Sequence, residues 1–169
     1  TYGVDIWDRL TPLKTRAFDD SDLATALTDY TRERILEWSK LPRERIDLLY
    51  ATADEELFTP SRKPGYLQKR YGTRGKKVVL TVGRLASVDL YKGHDRVIRA
   101  MPAVLRRRPD TVYLVVGDGD DRGRLEDIAR QEGVADQVIF AGLVPAEELV
   151  DHYRVAALFA MPRTGEGFG

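Results

Sequence analysis

Two cations stand where an anion could be held. The stretch Val78–Gly93 reads VVLTVGRLASVDLYKG, with Arg84 near its middle and Lys92 near its end. The apolar run Val78-Val79-Leu80-Thr81-Val82 stops at Gly83. A short run rich in β-branched residues and bounded by glycine reads as a buried strand. Arg84 therefore falls just past the strand's carboxyl end, and Tyr91-Lys92-Gly93 opens an amphipathic helix. That edge is where open α/β sheets bind ligands. An Arg fork and a Lys point charge converging there suit a diphosphate. An arbitrary Arg or Lys is a solvated surface charge; the strand-loop-helix junction is what sets this pair apart.

Two further spots could carry chemistry. Gly117-Asp118-Gly119-Asp120-Asp121-Arg122-Gly123 follows a strand and superficially matches a dinucleotide fingerprint. Its three carboxylates crowd the turn where a pyrophosphate would sit, so anion would face anion, and the acidic residues read better as helix caps. Gly165-Glu166-Gly167-Phe168-Gly169 spaces its glycines alternately, which lets a ligand approach the backbone closely. A carboxylate there can accept hydrogen bonds from sugar hydroxyls or stabilise a developing cation, although a Glu between glycines is also an ordinary loop residue. Phe168 reads as a packing residue. His94 and His152 are isolated, without metal-ligand spacing, and His94 beside Gly93 reads as a helix-start residue.

The elements that must position these residues alternate from Lys77 onward. Strand Val78–Val82 precedes a helix from about His94 to Arg107, with Val97, Ile98, Met101, Val104 and Leu105 at helical spacing. Strand Thr111–Val116, a helix from about Arg122 to Gln131 capped by Gly133, and strand Val138–Phe140 follow. Pro145 starts a helix to about Tyr153, and Ala156–Met161 reads as a fourth strand. Strands alternating with helices imply an α/β, doubly wound parallel sheet of Rossmann-like type. Upstream, Leu10–Phe18 spans a helical turn or two, and Asp22–Leu27 suits either a strand or a helix. Thr28 to Thr31 offers N-cap residues for a helix through Ser39, and Ile46–Tyr50 reads as a strand. A strand-helix-strand of this size buries too little by itself. Residues 60–77, punctuated by Pro60, Pro64, Gly65, Gly72 and Gly75, read as a linker with one short helix at Leu67–Tyr71.

Composition bounds the function. The 169 residues are 43% hydrophobic and 32% charged, with 27 Lys+Arg against 27 Asp+Glu. Formal charge of +0 argues against a nucleic-acid binder driven by bulk charge and against a polybasic membrane anchor. The absence of Cys excludes disulfides, thiol catalysis and Cys-ligated metals, and fits a reducing cytosol. No apolar run approaches the length of a membrane span.

These residues resemble a family. Val79 to Gly169 is similar to the donor-binding domain of retaining glycosyltransferases of family 4 (glycosyl transferases group 1), which have the GT-B fold. VGRLASVDLYKGHDRVIRAMP resembles its "GRL…KG" segment, VVGDGDDRGRLEDIA its glycine turn and helix, VIFAGLVPAEELVDHY its next strand-loop-helix, and FAMPRTGEGFG its "EGFG" signature. Tyr30 to Glu33 and Arg45 to Pro60 resemble the end of the acceptor-side domain and the crossing to the second. The resemblance implies a truncated GT-B chain: 1–59 as the C-terminal part of the acceptor-side domain, 60–77 as linker, and 78–169 as an incomplete donor domain. Segment 50–54, YATAD, departs from the family's asparagine-glycine turn.

The roles it implies are residue by residue. Arg84 and Lys92, beside Gly83, hold the donor diphosphate. Glu166 is a carboxylate near the donor sugar. Gly167, Phe168 and Gly169 offer backbone amides to sugar and phosphate, and Gly142, Leu143 and Val144 lie near the nucleobase. Arg84, Lys92 and Glu166 are the expected catalytic residues. The implied reaction moves a hexose from a UDP- or GDP-linked donor to a glycan, lipid or small-molecule acceptor hydroxyl, with retention. It uses no metal and no cofactor beyond the nucleotide sugar, which is a co-substrate. The expected partners include no nucleic acid, and the expected place is the cytoplasm, reaching the cytoplasmic membrane face through parts outside this chain. The open sheet edge favours self-association. The isolated chain is expected to bind a nucleoside diphosphate weakly and to transfer no sugar. The rival readings are a non-catalytic Rossmann-like nucleotide-binding module and a dinucleotide oxidoreductase, against which the Asp-rich turn argues.

Overall fold

A computed structural model of the chain describes residue 6 and residues 10–163; Glu166, Gly167, Phe168 and Gly169 lie outside the described residues. The described residues fall into two compact units, one up to Ala53 and one from Asp54 onward.

In the first unit, α1 (Pro12–Asp19) leads to β1 (Ala24–Ala26), α2 (Asp29–Leu36) and β2 (Ile46–Leu48). The ambiguous stretch at Asp22–Leu27 is a strand: Ala24 pairs in parallel with Ile46 and Ala26 with Leu48. Thr28 caps α2, its hydroxyl accepting from the Thr31 amide at 3.1 Å. The helix ends at Leu36 rather than Ser39. The Trp38 and Ser39 amides fold back onto the Ile35 carbonyl, and the Trp38 indole donates to the Ile6 carbonyl at 2.9 Å. Ile6, Ala26, Ile35, Leu41 and Ile46 form a small core.

The second unit contains α3 (Gly65–Arg70), β3 (Lys77–Val82), α4 (His94–Arg107), β4 (Thr111–Val116), α5 (Arg122–Gln131), β5 (Val138–Gly142), α6 (Ala146–Val155) and β6 (Leu158–Phe159). Its sheet is wholly parallel in the order β5-β4-β3-β6. Every residue of β4 is buried, as a central strand covered on both faces requires. One face packs Ile98 and Met101 of α4 and Leu125 and Ile128 of α5 against Tyr113 and Val115. The other packs Leu67 of α3 and Val155 of α6 against Val78, Leu80, Val112 and Leu114. Helices on both faces make the sheet doubly wound.

The short helix expected at Leu67–Tyr71 is α3, shifted to Gly65–Arg70; it buries Leu67 fully and is tied to α6. Tyr66 Oη donates to Asp151 at 2.9 Å, Arg70 forms a bidentate pair with Glu148, and Tyr71 Oη meets His152 Nε2 at 3.0 Å. The last strand is shorter than Ala156–Met161. Only Leu158 and Phe159 pair in register, although the Ala157 and Ala160 amides still bond to the carbonyls of Val78 and Leu80 at 2.8 Å.

The chain runs outward from β3 through β4 to β5, then crosses back so that β6 lies on the far side of β3. The junction of β3 and β6 is therefore the topological switch point, the place on such a sheet where ligands bind.

Candidate functional site

Gly83 ends β3 at that switch point. Its amide bonds to the Val116 carbonyl at 2.9 Å, and Arg84 follows directly. Residues Ser87–Lys92 wind into 3-10 turns that bring Lys92 back beside Gly83. The left-handed Gly93, φ +77°, then starts α4. A Cβ there would lie 2.6 Å from the Pro162 carbonyl beyond β6, so only glycine lets the two chain segments meet.

Arg84 and Lys92 converge as the sequence reading expects, and the group on which they converge is Asp89. Arg84 Nε and Nη2 reach Asp89 Oδ2 at 2.9 and 2.8 Å, and Lys92 Nζ reaches the same oxygen at 2.8 Å. The Asp89 side chain is 7% exposed and that of Lys92 12%, whereas Arg84 is 68% exposed. The Lys92 hydrogen bond, opposed by burial and helped by Arg84, holds the Asp89 carboxyl below its ordinary value. Lys92 is thus fixed in place while Arg84 presents its guanidinium to solvent. Sequence reasoning missed Asp89; its position three residues before Lys92, a helical pairing distance, is the signal that could have found it.

The glycine turn after β4 supports this loop from beneath. Cβ atoms on Gly117 and Gly119 would lie 2.0 Å from the Gly83 carbonyl oxygen and 2.2 Å from that of Leu85. The turn's acidic residues do not cap α5 through their side chains, contrary to expectation. Asp121 occupies the N-cap position but forks onto Arg124 at 2.6 and 2.7 Å. Asp120 accepts from the Ser87 amide at 3.0 Å and from its hydroxyl at 2.5 Å. Asp118 Oδ1 accepts from the Gly119 amide. With two backbones this close, a side chain's shortest route is across to the neighbouring loop. The turn is a brace for residues 84–89.

His94, the first residue of α4, lies in the same place. It is 5% exposed, and its Nε2 is buried without a hydrogen-bond partner. Burial first, and then the charge of Lys92, hold its pKa below the ordinary value. The other histidine is structural: His152 is fully buried between Tyr71 Oη and the Glu148 carbonyl.

Gly142 closes β5 in a left-handed conformation, φ +73°, and its carbonyl accepts from the Gly117 amide at 2.8 Å. Leu143 beyond it is 81% exposed, and Val144 packs partly against the α3/α6 side of the core. These residues lie at the carboxyl end of the sheet, as Gly83 does. Among the described residues, no group of three or more His, Cys, Asp or Glu is placed to hold a metal ion, and no helix is long and apolar enough to cross a membrane.

The chain is 34% identical over its whole length to a GDP-mannose-dependent alpha-(1-6)-phosphatidylinositol monomannoside mannosyltransferase of Mycolicibacterium smegmatis, of which it spans 44%. It is 31% identical over 85% of its length to the alpha-D-kanosaminyltransferase of Streptomyces kanamyceticus, spanning 37% of that protein. The chain therefore covers less than half the length of these relatives. Its fold superposes on HepE of Anabaena, solved in complex with UDP, with a TM-score of 0.76 at 21% identity, covering 97% of this chain and 47% of that one. The sucrose-phosphate synthase of Thermosynechococcus elongatus gives 0.76 at 23% identity, covering 93% and 39%. The sequence model of the family described as Glycosyl transferases group 1 matches residues 67–169. With that match across more than half its length and a GT-B-type Rossmann-like sheet beneath it, the chain belongs to the glycosyl transferases group 1 family.

Proposed function

We propose that the protein carrying this chain transfers a hexose from a nucleotide-diphosphate donor to an acceptor hydroxyl, with retention and without a metal ion. In this reading residues 78–169 are donor-binding, residues 1–59 end the acceptor-side domain, and 60–77 join them. The observation that carries it is the convergence of Arg84 and Lys92 on one point at the β3/β6 switch point. As the glycosidic bond breaks, the sugar gains oxocarbenium character and the leaving diphosphate gains negative charge. A guanidinium and an ammonium already gathered at one place stabilise that charge. Glu166, outside the described residues, is the carboxylate that the family resemblance puts near the donor sugar. The M. smegmatis relative is named for GDP-mannose, which makes GDP-mannose the first donor to assay and UDP-glucose the second.

The test is sugar transfer by the full-length protein, with and without a chelator. Arg84→Ala is expected to cost about 2–4 kcal/mol of transition-state stabilisation, roughly thirtyfold to a thousandfold in turnover. Activity persists in EDTA. Unchanged turnover in Arg84→Ala, or activity lost in EDTA and restored by Mg²⁺ or Mn²⁺, refutes the assignment.

A further inference from the structure

We propose that His94 Nε2 donates a hydrogen bond to the donor's diphosphate, a third cationic contact beside Arg84 and Lys92. The inference rests on the donor-site reading above and extends it. Three observations carry it.

Buried polar atoms in folded proteins are almost always paired, and an orphan calls for an explanation. His94 Nε2 is such an orphan, and its place in the fold supplies the explanation. The space above Gly83, where a Cβ would stand, is bounded by Met161 Cε at 3.4 Å, His94 Nε2 at 3.8 Å and Lys92 Cδ at 3.8 Å. All three lie at the switch point. Met161, whose sulfur accepts from Arg163 Nε, is unbranched, so its methyl end can turn to make room for a ligand beside Gly83.

His94 also begins α4, a fourteen-residue helix. Its N-terminus carries partial positive charge and favours an anion. The groups that face the ring are Lys92 before the helix, Asp95 on it, and Asp121 and Arg124 at the start of α5. Asp121 is already forked onto Arg124, so neither is free to bind His94. Burial and Lys92 keep the free imidazole neutral. A diphosphate reverses that balance, because its negative charge offsets Lys92 and favours the imidazolium. Binding therefore takes up a proton at His94, and donor affinity rises as pH falls towards the free histidine's pKa.

The test is calorimetric titration of the full-length protein with GDP-mannose and with UDP-glucose, near neutral pH, in two buffers of different ionisation heat. A diphosphate diester has no group of its own that titrates there, so the difference between buffers counts protons taken up by the protein. Wild type is expected to take up a proton on binding. His94→Gln keeps a donor and removes the titration; it should bind about tenfold more weakly, with no uptake. The buffer comparison on the wild type needs no variant, so a poorly folded variant leaves the test intact. Donor binding that is weakened by Arg84→Ala but shows no proton uptake overturns the role of His94 and leaves the donor site standing. Equal uptake by wild type and His94→Gln also overturns it. If neither sugar nucleotide binds the wild type, the donor site itself is wrong and the inference falls with it.

Discussion

Asp89→Asn is the sharpest perturbation the site offers, because one oxygen holds two cations. At 2.8 Å and an effective dielectric constant near 20, the Lys92–Asp89 attraction is about 6 kcal/mol before solvation is counted. Taking both groups out of water returns part of that. Arg84 is mostly solvated, so its pair adds about 1 kcal/mol at most. The variant leaves the Lys92 ammonium buried beside a neutral amide that accepts only part of its hydrogen bonding. The expected loss of folding stability is about 2–3 kcal/mol, which for a unit of this size lowers Tm by roughly 10 °C.

The pH dependence has a definite sign. The Asp89 carboxyl is held below its ordinary 3.8, so its contribution is complete above that value and disappears as pH falls through the folded-state value. Denaturant unfolding of wild type and variant should therefore differ at neutral pH and converge in strong acid. A difference below about 0.5 kcal/mol at neutral pH, the usual size of a surface substitution, would show that the shared carboxylate is incidental. A difference that persists undiminished in strong acid would show that packing, not charge, is responsible.

Other predictions follow from the same geometry. Gly117→Ala brings a Cβ to 2.0 Å from the Gly83 carbonyl at a backbone φ of +134°; the expected cost is about 2–4 kcal/mol by chemical denaturation, and wild-type stability would refute the brace. Tyr71→Phe removes the partner of the fully buried His152 Nε2, which should cost about 1–3 kcal/mol by thermal or urea unfolding. Gly93→Ala meets the Pro162 carbonyl and should weaken GDP binding as well as fold stability, because it separates α4 from the end of β6; a nucleotide titration reads the first effect and a melt the second.

Much of the site was legible because it follows the order of the sheet. The apolar run ending at Gly83 and the return of the chain at Lys92-Gly93 place two cations at one strand end, and both stand there. Where the reading fell short, contacts distant in sequence decide the outcome. The short β6 depends on how β3 receives it, which the run Ala156–Met161 does not encode. The short helix expected at Leu67–Tyr71 is α3, but its ties to α6 about eighty residues later are long-range contacts that the local punctuation by Pro64, Gly65 and Gly72 does not encode. Carboxylates in a turn read as caps, but the close approach of Gly117 and Gly119 to the 83–86 backbone gives Asp120 a nearer partner in Ser87. His94 looked like a helix-start residue, and it is one; its unpartnered nitrogen emerges only when Gly83 and Met161 are seen beside it.

The charges at the switch point give these observations a common logic. Without a ligand, Arg84 and Lys92 share Asp89, leaving one positive charge in a partly dry crevice. Two exposed, unshared cations would attract any anion, and Lys92 could not stay buried without its carboxylate. On the proposed reading, a sugar nucleotide brings two negative charges to this cluster, one more than it neutralises. A proton on His94 balances the account. That proton would then stand next to the group that gains negative charge as the glycosidic bond breaks. An interaction that strengthens along that path lowers the barrier, whereas one equally strong in the ground state only tightens binding. On that reading Asp89 and His94 act in opposite directions at the same place: one restrains the cations until a donor arrives, and the other adds positive charge once it has.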